Sequence, residues 1–481
     1  MNTKMVRYIL CRMLGVEAAL LLVPVLVAVI YQEKCGIVFL IPIVILCLLF
    51  WVAGRKRPEH GQIYGKEGMV IVALAWILWS LFGAMPFTLS GYIPSYVDAF
   101  FETVSGFTTT GSSIIPDVEV LPHCLLFWRS FTHWIGGMGV LVFVLVVTSL
   151  DRKNSMYLMR AEVPGPEKDK LVPKAMSTAR ILYGMYLILT VIEMVFLVIG
   201  GMNLFDSMIF SFGSAGTGGF SNYADSVAHF NSAYIDGVIT VFCALFGVNF
   251  ALFYFMILGD FKSILKNEEL RTYILLIAGA TAAIMLNIHS LYPTIGKSFR
   301  YAIFQVVTVI TTTGYSTADF AQWPMFSKAV IMMLTVVGAC ASSTGGGIKV
   351  SRLLVGMKCV KREIVQLAHP KSVGIIRIGG KKVSSDVLRT IYIYFIAYVG
   401  ILIGSVLLVS LDNFDFETTF SAVLTTLGNV GPGMAQVGPM GNFAGFSPLS
   451  KLILCFDMLA GRLEIFPFLV LFTAPAWRRK F

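Results

Sequence analysis

Charge is scarce in this 481-residue chain: Asp, Glu, Lys and Arg make up 13% of it, against 57% apolar residues. Soluble globular domains carry about 25% charged residues, so a water-soluble fold is excluded. Cysteine has no framework pattern either. The eight residues at 11, 35, 47, 124, 243, 340, 359 and 455 form no CxxC pair, and most fall in apolar stretches, where Cys behaves as a small hydrophobe. The six His are scattered without ligand spacing. Neither a metal site nor a disulfide framework is expected. No HExxH, no P-loop and no nucleophile motif in proper context is found, and the GxG patterns lie in apolar segments rather than after a strand. The chain is therefore not expected to be an enzyme, or to hold a cofactor of its own.

What is abundant is the long apolar run. A bilayer span needs about 20 mostly apolar residues, and ten stretches qualify: 8–31, 36–53, 68–90, 123–149, 179–201, 234–258, 271–289, 327–357, 387–411 and 450–475. The second is at the short limit, and a polar, glycine-rich run interrupts the eighth. Lys4, Arg7 and Arg12 precede the first, but its length and the lack of a small-residue cleavage pattern read as a retained anchor. Crossing the membrane at each span from an inside N-terminus puts 30 of the 37 Lys and Arg on the inside. That bias predicts cytoplasmic termini. It also accounts for the net charge of +10 without nucleic acid as a partner. The longest inside segment, 358–386, is too short for a core of its own. It is a docking surface for a cytosolic partner, a contact with anionic lipid, or charge that sets topology.

Four outside segments share a register. AFFETVSGFTTTG ends at Gly111, SMIFSFGSAGTGG at Gly219, AIFQVVTVITTTG at Gly314 and TFSAVLTTLGNVG at Gly431. Each follows a span and, after a short polar stretch, precedes another. The expected fold is an all-α polytopic membrane protein. Four pseudo-symmetric repeats, each a span, short pore helix, filter loop and span, surround one pore. Two extra spans come first, over 1–66, and the repeats occupy 67–150, 151–260, 261–365 and 366–481.

Eleven or so residues before each glycine are too few to cross a bilayer and too apolar to float in water. A short helix that dips in and returns as extended chain satisfies both constraints. Irregular backbone at that depth is tolerated where protein buries it or where it lines an aqueous cavity. Glycine at the turn lets carbonyls point inward. These would come from Thr109, Thr110 and Gly111; Thr217, Gly218 and Gly219; Thr312, Thr313 and Gly314; and Asn429, Val430 and Gly431. Rings of carbonyl oxygens replace the water shell of a cation such as K⁺, and the partly negative C-terminal ends of the short helices favour a cation. Close helix packing is the other use of such glycines, but it does not explain four copies in one register. Asp98 and Asp206, near the starts of two short helices, read as capping or dipole-stabilising residues. Glu102, Asp319 and Glu417 are either vestibule acids or solvated caps.

The blocks ETVSGFTTTGSSI, SAGTGGFSNY, TVITTTGYSTADF and LTTLGNVGPGM resemble the four filter segments of the Trk/Ktr/HKT potassium-transporter superfamily. WRSFTHWIGGMG (128–139), GACASSTGGGIK (338–349) and MLAGRLEIFP (458–467) add to the resemblance, and the two extra leading spans are similar to the TrkH branch rather than to KtrB. The resemblance implies K⁺ uptake at the cell (inner) membrane, with Gly111, Gly219, Gly314 and Gly431 in the filter. Related plant proteins with serine at the first of these positions carry Na⁺; glycine at all four implies K⁺. It also implies a homodimer working with a TrkA-like cytosolic ring, which would bind the nucleotide.

Two further features have double readings. In 338–349 the residues Gly338, Ser342, Ser343, Thr344, Gly345, Gly346, Gly347 and Lys349 break the last span of the third repeat, since successive glycines disfavour helix. The resemblance implies a mobile gating loop; the alternative is a packing kink. Arg462 sits mid-span, where an ionisable residue faces a cavity or a partner. The resemblance makes it a positive barrier in the pore, with Glu464 nearby although two residues along a helix do not face each other. A salt bridge to another helix is the alternative. Arg129, nearer the outer edge, reads as snorkelling.

Overall fold

A computed structural model describes residues 1–58, 64–139, 175–372 and 374–477. Six helices in it are long and apolar enough to cross a bilayer: Thr3–Ile30, Lys34–Gly54, Gly65–Leu89, Ile181–Ile199, Glu268–Leu291 and Ser385–Asp412. Large apolar side chains on them stay exposed, including Leu26, Val29, Leu275, Leu286, Ile396 and Leu407, as befits helices whose outer faces meet lipid. The only strands among the described residues are Arg377–Ile378 and Lys381–Lys382, paired as an antiparallel hairpin. The all-α polytopic class therefore stands.

Four short helices precede the four glycines: Tyr96–Phe107, Leu204–Gly216, Ile295–Ile310 and Phe416–Leu427. At 1.5 Å per residue, 12 residues rise about 18 Å, roughly half of a bilayer core. Each starts at a side chain suited to capping. Ser95, Asn203, Thr294 and Asp415 accept from the backbone N–H of Asp98, Asp206, Lys297 and Thr418, respectively. An orphan donor at each N-terminus is thereby satisfied where the chain turns inward.

The helices after loops one, two and four differ from expectation. The stretch 234–258 is two helices, Ala233–Phe246 and Phe250–Ile257, bent by 93°. Gly247 ends the first, and Asn249 starts the second by accepting from the N–H of Ala251 at 2.9 Å. The stretch 450–475 stops as a helix at Arg462, and Glu464 and Ile465 then take positive φ of 59° and 63°. The interruption expected in the third repeat separates Met325–Val337 from Val350–Ala368. In the first, His123–Gly137 gives way to Gly139 at φ 83°. The rest of 123–149, most of 151–180 and the 150/151 boundary lie outside the described residues. Sequence hydropathy could not show the breaks after loops one, two and four, because apolar residues continue across them.

The two leading spans are fastened to the first repeat by a cap supplied from elsewhere in the chain. His123–Gly137 begins after Pro122, which has no side-chain acceptor. Glu33, in the turn between the leading spans, accepts from the N–H groups of His123 at 2.7 Å and Cys124 at 3.0 Å. A carboxylate is favourable at a helix N-terminus. Glu33→Ala should cost about 1 kcal/mol of stability, as other lost caps do. Thermal melting of the detergent-solubilised protein would show this; an unchanged midpoint would mean that the cap contributes nothing.

Candidate functional site

The four glycine loops adopt one backbone conformation in spite of their different sequences. Two residues before each glycine the chain is left-handed: Thr109 at φ 54°, Thr217 at 55°, Thr312 at 60° and Asn429 at 53°. The glycines follow at 83°, 76°, 77° and 95° for Gly111, Gly219, Gly314 and Gly431. Asn tolerates this region, but for Thr it is uncommon. Such strain costs roughly 1–3 kcal/mol per residue and persists where surrounding structure over-determines it.

The loops also close on one another. A Cβ at Gly111 would overlap the carbonyl oxygen of Gly218, one at Gly219 that of Thr313, and one at Gly314 that of Val430. A Cβ at Gly431 would lie 2.6 Å from the carbonyl oxygen of Thr110. Loop one thus abuts loop two, two abuts three, three abuts four, and four abuts one. Thr109, Thr110, Thr217, Thr312, Thr313, Asn429 and Val430 are all fully buried in this ring.

Side-chain hydrogen bonds hold the ring from behind. The hydroxyls of Thr108 and Thr110 are 2.8 Å apart, and those of Thr311 and Thr313 repeat the pair at 2.9 Å. Asn429 donates its amide to the Thr110 hydroxyl and the Met458 carbonyl, both at 2.9 Å. The Tyr315 hydroxyl donates to the Phe210 carbonyl at 2.9 Å. No carboxylate belongs to these loops, and among the described residues no group of three or more His, Cys, Asp or Glu could hold a metal ion. A ring of neutral oxygens suits a weakly hydrated monovalent cation, whereas hard divalent ions call for carboxylates.

The candidate acids divide between ion pairs and caps. Glu102 faces no vestibule: it is buried, accepts from Arg129 Nε at 2.6 Å, and takes the Ile114 N–H at 2.9 Å. Arg129 does not snorkel. It is 4% exposed, donates to the Ser221 carbonyl at 2.8 Å, and lies over the Phe220 ring at 3.6 Å. Burial made the pair necessary, since neither charge is tolerable alone in a low-dielectric interior, and it ties loop one to loop two. Asp98 pairs with Lys451 at 2.7 Å and Asp206 accepts from Tyr223 at 2.9 Å; Ser95 and Asn203 are the caps, while both acids stand in the first turn, where a carboxylate suits the helix dipole. Glu417 is half exposed and pairs with Lys328 at 3.0 Å. Asp319 caps the turn after loop three by accepting from the Ala321 N–H at 3.1 Å.

The 338–349 segment lies against the ring. The hydroxyl of Thr312 accepts from the Gly346 N–H at 2.6 Å. Gly345 and Gly346 sit so close to the Thr311 and Gly428 carbonyls that a Cβ would approach them to 2.8 and 2.6 Å. Gly338 and Gly347, both at φ 72°, pack onto each other where the segment leaves and rejoins its helices. The break in the second repeat meets it too: Cys340 N–H donates to Gly247 O, and Phe250 N–H to Ser342 O, both at 3.1 Å. Lys349 turns its ammonium back onto the Gly345 carbonyl, and Ser343 donates to Cys340 O at 2.6 Å.

Arg462 joins three repeats at this level. It donates to the carbonyls of Thr344 at 2.6 Å, Gly136 at 2.6 Å and Gly137 at 2.9 Å. Glu464, offered by the sequence as its neighbour, pairs with Arg352 instead. That pairing could not be read from sequence, because it spans two repeats. The convergence of all four helix breaks was equally invisible, although Gly247 and Asn249 carried a local break signal in hindsight.

Three comparisons with known proteins give the family and the overall fold. The family model of TrkH, a cation transport protein, matches residues 36–478. The Trk system potassium uptake protein TrkH of Salmonella typhimurium is 36% identical over 467 residues, covering 95% of this chain and 96% of that one. TrkG of Escherichia coli, a Trk system potassium uptake protein, is 33% identical, covering 99% of this chain and all of its own. The crystal structure of the potassium transporter TrkH from Vibrio parahaemolyticus superposes with a TM-score of 0.90 at 31% identity, over 99% of this chain and 100% of that one. The chain, a membrane transporter and not an enzyme, therefore belongs to the TrkH family of cation transport proteins.

Proposed function

We propose that this protein takes up K⁺ through the ring of the four glycine loops, with the carbonyls around Gly111, Gly219, Gly314 and Gly431 as its selectivity filter. The observation that carries this is the closed cycle of contacts, in which each glycine leaves room for the next loop's carbonyl oxygen. A ring of backbone oxygens can stand in for the water shell of K⁺ at little reorganisation cost. The relatives named for potassium uptake support the choice of ion.

The 338–349 segment is the gate in this reading. Its glycines touch the carbonyls just before loops three and four, and its backbone is held by single hydrogen bonds from several repeats rather than by a continuous helix. Arg462 acts on it as a latch as much as a charge barrier, because its guanidinium is spent on three carbonyls. The protein itself needs no cofactor. It works as a homodimer in the cell (inner) membrane with cytoplasmic termini, which the distribution of Lys and Arg supports. By resemblance a TrkA-like cytosolic ring binds the nucleotide and docks near the basic 358–386 segment.

A strain lacking its own K⁺ uptake should regain growth at low external K⁺ when this chain is expressed with such a partner. Well-expressed protein that leaves growth unrestored would sink the assignment.

A further inference from the structure

Glu269, the second residue of the helix Glu268–Ile288, is 7% exposed. Its Oε1 accepts the backbone N–H of Ala341 at 2.7 Å and of Ser351 at 3.1 Å. These residues stand near the two ends of the 338–349 segment, so a single oxygen draws both ends to one point. Hydrogen bonds to an ionised acceptor are roughly twice as strong as neutral ones. A buried carboxylate stripped of such donors would be costly to keep, so the clamp is held from both sides.

The neighbouring residue points the other way along the chain. Glu268 pairs with Lys358 on the helix Val350–Ala368. Lys358 also donates to the carbonyl of Arg377 at 2.7 Å, in the two-stranded hairpin. One helix end therefore holds the glycine segment by position 269 and the basic segment after it by position 268.

We propose that Glu269 is a positioning residue that clamps the 338–349 loop against the filter, and that the Glu268–Lys358 contact transmits movement of the basic 358–386 segment to that clamp. The proposal rests on the reading of this loop as the gate. A force on the basic segment pulls on Lys358, shifts the start of the Glu268 helix, and withdraws the oxygen that both backbone N–H groups need. The loop then loses its shared anchor at both ends at once. Arg462 and Thr312 hold the middle of the loop, whereas Glu269 holds its ends.

Cys340 supplies a reporter that is independent of transport. Its side chain is 1% exposed beside Ala341. The experiment compares Glu269→Gln, Glu269→Asp and Lys358→Ala with the parent protein in liposomes. It measures K⁺ flux and, by peptide mass spectrometry, the rate at which a water-soluble maleimide modifies Cys340, each variant set against the parent protein. Gln removes the charge, and Asp is one methylene too short to reach both N–H groups. Both should raise Cys340 modification and K⁺ flux by about tenfold or more, the factor that loss of one charge-assisted hydrogen bond implies. Lys358→Ala should raise both by less.

Unchanged Cys340 modification in folded Glu269 variants overturns the clamp, whatever the flux does. Raised modification with unchanged flux upholds the clamp and overturns the gate reading instead. Should the Gln variant fail to fold, the Asp variant, which keeps the charge, decides by the same two measurements. No change in Lys358→Ala removes the transmitting contact from the proposal.

Discussion

Gly111→Ser should reduce K⁺ uptake and its preference over Na⁺ by about tenfold or more, equivalent to at least about 1.4 kcal/mol. Two independent causes act at this position. A side chain there would occupy the space of the Gly218 carbonyl oxygen, and the backbone stands at φ 83°, which L side chains rarely adopt. The displaced oxygen belongs to the ring, so the damage falls on the coordination of the ion rather than on the fold at large. The same substitution at the other three positions should follow the closeness of each contact. Gly219 overlaps its neighbour as tightly as Gly111, Gly314 slightly less, and Gly431, at 2.6 Å, least. Proteoliposome flux of K⁺ and Na⁺ for the four variants would show this order. Undiminished, K⁺-selective flux through Gly111→Ser would remove that residue from the filter.

Arg462→Ala should raise cation flux several-fold. The guanidinium spans three carbonyls, one on the 338–349 loop and two at the break of the first repeat. Its removal frees the loop and subtracts a positive charge from the same place. Arg462→Lys separates these two effects. Lysine keeps the charge, but a compact ammonium does not reproduce the planar fork that reaches several acceptors together. A latch predicts that the Lys variant leaks nearly as much as the Ala variant; a pure charge barrier predicts that it stays closed. Both variants remaining as tight as the parent protein would dismiss either role. The paired acid at Glu464 is not a confounding partner, since it is engaged by Arg352.

The loop sequences TTTG, GTGG and GNVG are unequal, which by itself would imply an irregular ring. The backbone is more regular than that, because the left-handed position and the glycine recur at matching places in all four loops. Irregularity resides in the side chains behind the ring. Asn429 reaches across to Thr110 in place of the hydroxyl pair that braces loops one and three. In the proposed filter, a near-symmetric backbone thus rests on an asymmetric support.

By itself the sequence determined the class of the molecule, the number and register of the glycine loops, and the segment that interrupts the third repeat. These are local properties: apolar run length, a repeated turn residue and clustered glycines each leave a mark within a few residues. Tertiary structure alone decided the partners of the buried charges. It placed Glu102 against Arg129, Glu464 against Arg352, and Glu269 under the ends of the loop. It also decided that the helices after loops two and four break in mid-course. The reason is the same in both cases. In a low-dielectric interior a charge, or the exposed backbone of a broken helix, must be satisfied by whatever group packs against it. Here that group comes from another repeat, far away in sequence.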